Sequence, residues 1–360
     1  MASVAFVHEP VPPFTIIAGP IDTVSQKREF ALSKMVVGEI EIAVPDITDQ
    51  SWIRPGMAWS ISSDLGQPYW AGFVEVEERI FGASSVRIKL LGPMRGILDG
   101  IEVFSSTQGA GLRGVENEVR NVLEFALSRN AGITLGEISV PPNFDFQPQG
   151  DTVAKFVQSV TDRTDVDYLE TMELKDNQLV LRLQVGSFLR KTTHVISQDD
   201  IIAGNFTRDR PVNSVTVVGA GNAFSTRSAA TTAAVDRPRL GQAVSHAREP
   251  APQHEVGIVE RRDIGPAATR HQTVIEERVS VGIEDQARAT LIDDLRAVDR
   301  VGLTLDMSRT VVQALRVGDV FRLKVEDWMG GVGVEALLHI RTILPHEETG
   351  KMNIVAWVRN

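Results

Sequence analysis

The two ends of the chain carry the same pattern, and a chain that repeats a β motif in this way has few architectures open to it. Arg54-Pro55-Gly56-Met57-Ala58-Trp59-Ser60-Ile61 is matched by Arg316-Val317-Gly318-Asp319-Val320-Phe321-Arg322-Leu323. Each is a glycine turn that feeds a strand with a large aromatic residue three positions on. A second strand centres near Val74 and near Leu338, 18 and 20 residues after the glycine. A third centres on Ile88 and Ile354, 14 and 16 residues further on. Three strands at matched spacing predict one β module used twice, and repeats set the architecture before any local detail does.

The first copy is the more legible. Val74 and Val76 alternate with Glu75 and Glu77, and Val86, Ile88 and Leu90 alternate with Arg87 and Lys89. Period-2 alternation marks strands with one buried face. Ile80-Phe81-Gly82-Ala83-Ser84 joins the two runs as a hairpin loop. A hairpin centred on Gly82 sets Glu75 opposite Lys89 and Glu77 opposite Arg87, with the valines meeting Ile88 and Leu90. Upstream, Met35–Val44 is rich in Val and Ile and stops at Pro45. Trp59, Phe321, Val74, Val76, Val86 and Ile88 are the expected core, with Gly56 and Gly318 making the turns.

The period changes in the middle. Val115, Val119, Val122, Leu123, Ala126 and Leu127 recur at helical spacing. A second helix, capped by Asp151, carries Val153, Phe156, Val157 and Val160. A hairpin follows, turning at Lys175-Asp176-Asn177-Gln178 into Leu179, Leu181, Leu183 and Val185. After the strand Val212–Val218, residues 223–270 are rich in Ala, Ser, Thr and Pro and read as a long loop. A third helix is expected over Glu284–Val301, then strands over Leu337–Ile343 and Met352–Val358. The fold class is therefore α+β, mainly β: two similar antiparallel β-barrel modules of tube type with an inserted small helix–hairpin domain. The expected divisions are 1–110, 111–195 and 196–360, the last interrupted by the 223–270 loop and the 284–301 helix.

Composition narrows the chemistry. There are no cysteines in 360 residues, which excludes disulfides, thiolate metal sites and a cysteine nucleophile. The net charge of −10 argues against wrapping nucleic acid. No apolar run is long enough to span a membrane, and the N-terminus lacks the basic region of a signal peptide. The seven histidines include His246 and His254 in the Pro-rich stretch, but no HExxH pattern or i,i+4 helical pair. Glu77/Glu78, Asp199/Asp200 and Asp293/Asp294 are merely adjacent, and neighbours on a strand point to opposite faces. Gly219-Ala220-Gly221-Asn222 lacks the remainder of a phosphate loop. Trp52, Trp59, Trp70, Trp328 and Trp357 could stack sugars but sit in or beside the modules, where packing explains most of them. No residue is assigned as catalytic, cofactor-binding or metal-ligating, and no cofactor is expected.

Four stretches taken in order carry a resemblance: Trp70–Pro93 (WAGFVEVEERIFGASSVRIKLLGP), Thr152–Leu183, Pro211–Asn222 (PVNSVTVVGAGN) and Leu315–Trp328 (LRVGDVFRLKVEDW). Their succession is similar to the baseplate hub, or tail-tip hub, proteins of tailed bacteriophages and related contractile injection systems. That resemblance implies a non-enzymatic virion component, made in the host cytoplasm and placed at the tail tip. It implies a homotrimer whose two modules per chain make a pseudo-sixfold ring. Such a ring joins a tail tube or distal tail protein to a central spike or fibre and lines a channel that DNA passes without specific binding. The alternatives are a tail-associated cell-wall-degrading enzyme and a carbohydrate-binding adhesin.

Overall fold

The computed structural model describes residues 4–62, 69–78, 83–103, 112–113, 116–128, 132–140, 145–146, 152–163, 166–208, 214–219, 234–237, 241–246, 256–261, 271–276, 299–326 and 334–359. The first sheet is built from β1 (Val4–His8), β2 (Ile16–Asp22), β3 (Ser25–Arg28), β5 (Val37–Ala43), β6 (Ala58–Ser62), β7 (Trp70–Glu78) and β8 (Ser85–Leu91). The two-residue β4 (Phe30–Ala31) leaves it to join a different sheet. The spatial order is β2-β1-β6-β7-β8-β5-β3, and every pairing is antiparallel. Ile40, Ile42, Trp59, Trp70, Val74, Val86, Ile88 and Leu90 form one core on this sheet. Ala58, Ala71 and Phe73 point into a second core on its other side. Covering both faces explains the unbroken apolar run Trp70–Val74, because each successive side chain enters one core or the other.

The middle unit contains α1 (Pro93–Gly96), α2 (Glu116–Leu127), α3 (Val153–Arg163), β9 (Leu112–Arg113), β10 (Ile133–Ile138), β11 (Asp145–Phe146), β12 (Asp167–Lys175) and β13 (Gln178–Gly186). The helical stripes fall as expected: Val119, Leu123 and Ala126, and Val153, Phe156, Val157 and Val160, are all buried. Val115 and Asp151 lie outside the described residues. The described cap on α3 is Thr152, whose Oγ1 accepts the Lys155 N–H at 3.3 Å. The β12–β13 hairpin turns through Asp176 and Asn177 at φ 51° and 63°, the left-handed pair a tight hairpin needs. Strand β10 pairs parallel to β13, giving the three-stranded order β10-β13-β12.

The second large sheet takes β14 (Arg190–Ser197), β15 (Ile201–Arg208), β21 (Asp299–Asp306), β22 (Asp319–Val325), β23 (Val334–His346) and β24 (Lys351–Arg359), in the order β14-β22-β23-β24-β21-β15. A short helix, α4 (Thr310–Gln313), closes its core beside Phe321, Leu338, Ile340, Ile354 and Met352. The boundary expected at 195/196 falls inside β14, so this sheet begins at Arg190. Between β15 and β21 lie β16 (Ser214–Gly219), β17 (Ala234–Arg237), β18 (Gly241–His246), β19 (Val256–Arg261) and β20 (His271–Glu276). They form a separate sheet ordered β17-β18-β19-β16-β20.

Four sequence readings are corrected here. The long loop expected over 223–270 contains three paired strands, β17, β18 and β19. They are short, and a pattern over four to six residues is too brief to register as a period. The helix expected over Glu284–Val301 has its last three residues in β21, where Val301, Leu303 and Leu305 alternate as buried residues. Residues 277–298 lie outside the described set. Leu338 is not the counterpart of Val74: the Gly56 N–H donates to the Val74 carbonyl and the Gly318 N–H to that of Ile340, which makes Ile340 the match.

The fourth correction concerns Val76, which is 53 % exposed rather than in the core. The β7–β8 register runs Val74↔Leu90, then Val76↔Lys89, then Glu78↔Arg87. Glu75 is the extra residue of a β-bulge, and one extra residue turns every later side chain to the opposite face. Glu75 still meets Lys89, with Nζ to Oε2 at 2.6 Å, but Glu78 rather than Glu77 lies opposite Arg87.

Candidate functional site

The two large sheets correspond strand for strand over five members. The order β6-β7-β8-β5-β3 in the first is β22-β23-β24-β21-β15 in the second. Gly56 and Gly318 both sit at φ +86°, a left-handed conformation that favours glycine. Trp59 and Phe321, each three residues on, are both 0 % exposed. The bulge is repeated as well, since the β23–β24 register skips between Ile340 and Thr342. The copies part company at the flank: β1 runs antiparallel to β6, whereas β14 runs parallel to β22. They also part between the edge strand and the next: eight residues (29–36) in the first copy, and residues 209–298 in the second.

Inside one chain the first sheet grips the second along a polar seam. The gripping part is the segment Ser25–Lys34, and it lies on residues Arg341–Thr349 of β23 and the following 3-10 turn Glu347–Thr349. Backbone pairing joins Ala31 to Thr342 and Phe30 to Ile343, and the Leu32 N–H donates to the Arg341 carbonyl at 2.9 Å. Arg28, 1 % exposed, donates through Nη2 to Glu347 Oε1. The Gln26 N–H donates to Glu348 Oε1 at 2.9 Å, and Gln26 Nε2 to Glu347 Oε2 at 2.7 Å.

The bulged residue of the second sheet, Arg341, anchors the middle unit to the same seam. Its two Nη groups donate to the two carboxylate oxygens of Asp167 at the start of β12, in the bidentate geometry only arginine offers. Ser33 Oγ donates to Asp167 Oδ1 at 2.7 Å and accepts the Tyr168 N–H at 3.3 Å. The guanidinium carbon stands 4.0 Å from the centroid of the Trp357 ring, within cation–π range. Both partners of the pair are 7 % exposed. His339 is buried two positions upstream, its Nε2–H donating to the Phe188 carbonyl at 2.8 Å. Burial pushes the imidazole down to about 4, and the Arg341 charge pushes the same way.

Glu170 lies where β12 backs onto the first sheet. Burial pushes its carboxyl up to about 8, so it is protonated at neutral pH. Its Oε2 accepts the Met94 N–H at 3.0 Å. A Cβ at Gly92 would come within 2.5 Å of Val36 Cγ2 and 3.0 Å of that same Oε2, so only glycine fits there.

None of these groups was singled out in the sequence, because all their contacts are remote in it. The one local signal was a charge, Arg341, inside the apolar run Leu337–Leu344. Trp59 and Trp70 are buried, and their indole N–H groups donate to the Trp52 and Glu29 carbonyls, so neither can stack a sugar. Trp52 and Trp357 are partly covered, and Trp328 and His254 lie outside the described residues. His246 lies in β18, Gly219 ends β16, and residues 220–222 and Asp293/Asp294 are outside the described set. Asp200 caps a turn, accepting from the Ser197 N–H and Oγ–H. Among the described residues no cluster of three or more His, Asp or Glu is placed to hold a metal, and no helix is long and apolar enough to cross a membrane.

Solved structures of phage tail proteins share this fold. The structure matches the 43 kDa tail protein of prophage MuSo2 from Shewanella oneidensis with a TM-score of 0.61 and 13 % identity, covering 100 % of this chain and 98 % of that one. It matches a tail protein from Neisseria meningitidis with a TM-score of 0.59 and 11 % identity, covering 100 % and 97 %. It also matches an Escherichia coli component of the type VI secretion system, described as similar to the T4 tail proteins gp27 and gp5, with a TM-score of 0.55 and 9 % identity, covering 95 % and 74 %. No protein-family model matches the chain, and no curated protein matches it in sequence. The resemblance to tail hubs read from the sequence is borne out at the level of the fold.

Proposed function

We propose that this chain is a structural subunit of a phage tail, acting as the hub at the tail tip or baseplate. The observation that carries the reading is the shared five-strand order of the two large sheets, with its matched glycine turn and matched bulge. A chain with two like modules lets three copies present six similar faces, so it can join a sixfold tube to a threefold spike or fibre. Contacts between unlike faces must then close into a ring. On this reading the modules are 1–110 and 196–360, adjusted to start at Arg190, with 111–189 as the unit between them. The bore of such a ring passes DNA without binding it, in keeping with a net charge of −10.

The neighbours that support the reading are tail proteins, and the main charged contacts of the seam, Arg28 with Glu347 and Arg341 with Asp167, tie parts of one chain together, which favours scaffolding over catalysis. Gold-labelled antibody against the chain, applied to purified particles, tests the placement. Label confined to the tail end supports it; particles that lack the chain overturn it. Native mass spectrometry of the purified chain, alone and with the tail-tube protein, tests the trimer.

A further inference from the structure

The seam inside the chain has a counterpart that no described residue covers. Gln26 pairs with Ile40, Ile40 with Ile88, and Ile88 with Glu77 across the first sheet. Gly204 pairs with Leu303, Leu303 with Ile354, and Ile354 with Ile343 across the second. Gly204 is thus the counterpart of Gln26, and Val76 that of Thr342. In the seam, Gln26 of the first sheet meets Glu347 and Glu348, and Thr342 of the second receives Ala31. The two counterparts have no such neighbour among the described residues. Gly204 lies exposed on the edge strand β15, and Val76 is an exposed apolar residue beyond the point where pairing of β7 with β6 ends.

We propose that the exposed edge of β15 around Gly204 docks on the bulged end of β7 around Val76 of a second copy, repeating between chains the contact that β3 and β4 make with β23 inside one. The occupant is another copy of this chain because the edge strand and the bulged strand that meet in the seam each recur in the other sheet, where no described residue joins them. Two unlike surfaces meet, so the contact is heterologous and propagates from copy to copy until it closes. The bulge at Glu75 serves it directly, since that extra residue is what turns Val76 outward. The inference rests on the ring reading above and names the surfaces that form it.

The chain has no cysteine, so single thiols report cleanly. Val76→Cys and Gly204→Cys proteins, made separately and then mixed, are treated with a short flexible bis-maleimide. The expected product is a covalent heterodimer in the mixture and none with either protein alone. Val76→Asp should lose self-association while keeping its melting temperature. If native mass spectrometry shows association but no heterodimer forms, or if either protein links to itself, these surfaces are wrong and the ring reading survives. If the chain stays single at its highest soluble concentration, with tail-tube protein present, both readings fall.

Discussion

Gly56 and Gly318 share one backbone conformation, φ +86°, and each donates its N–H to the carbonyl of the residue that precedes a bulge, Val74 at 2.9 Å and Ile340 at 3.0 Å. Turn, strand and bulge are copied together, so the repeat is one of geometry as well as of residue pattern.

The two glycines differ in what surrounds them, and that sets an order. A Cβ on Gly56 meets nothing within 4 Å, so Gly56→Ala incurs only the left-handed strain, about 1–2 kcal/mol. A Cβ on Gly318 comes within 3.2 Å of Phe188 Cβ and 3.3 Å of its carbonyl oxygen. Gly318→Ala should therefore be the more destabilised in urea denaturation. Equal midpoints for the two variants would contradict the assignment.

Arg341→Met leaves the Asp167 carboxylate buried without its partner and should cost about 3–5 kcal/mol. The joint replacement Arg341→Met with Asp167→Leu removes both charges and should recover most of that loss. Arg341→Lys should not rescue, because one ammonium cannot span both carboxylate oxygens. Denaturant midpoints of the four proteins check the cycle.

His339 makes the seam sensitive to acid. Its pKa falls from 6.5 to about 4 on folding, so between these values the unfolded chain binds the extra proton. Its contribution is whole above pH 6.5 and is lost as the pH drops towards 4. The groups facing it, Arg341, Arg359 and Asp167, act in opposed directions, with the two arginines disfavouring the imidazolium. His339→Gln can keep the donor to Phe188, and its stability should fall less steeply between pH 6.5 and 4. An identical slope in the two proteins would contradict this.

Glu170 has the opposite sign. Its pKa rises from 4.5 to about 8 on folding, so its contribution is whole below pH 4.5 and is lost as the pH climbs through 8. Glu170→Gln retains the acceptor for the Met94 N–H and carries no charge to bury. It should be more stable than the parent at pH 8, with the gap closing towards pH 4.5. A constant gap across that range would point to packing instead.

The local elements could be read from the residues alone, because each rests on neighbours along the chain. Val86, Ile88 and Leu90 form a one-faced strand, Val153, Phe156 and Val157 a helical stripe, and Gly56 and Gly318 their turns. The repeat was legible for the same reason. The seam and the bulge emerged only on folding. Whether Val76 points inward depends on which residue of β7 is left unpaired against β8, and period-2 alternation is blind to one extra residue. Asp167 and Arg341 are 174 positions apart, and each reads as an ordinary surface charge until folding removes water from both. The strands between residues 223 and 270 stayed hidden because pairing with one another and with β16, more than their own short pattern, makes them strands.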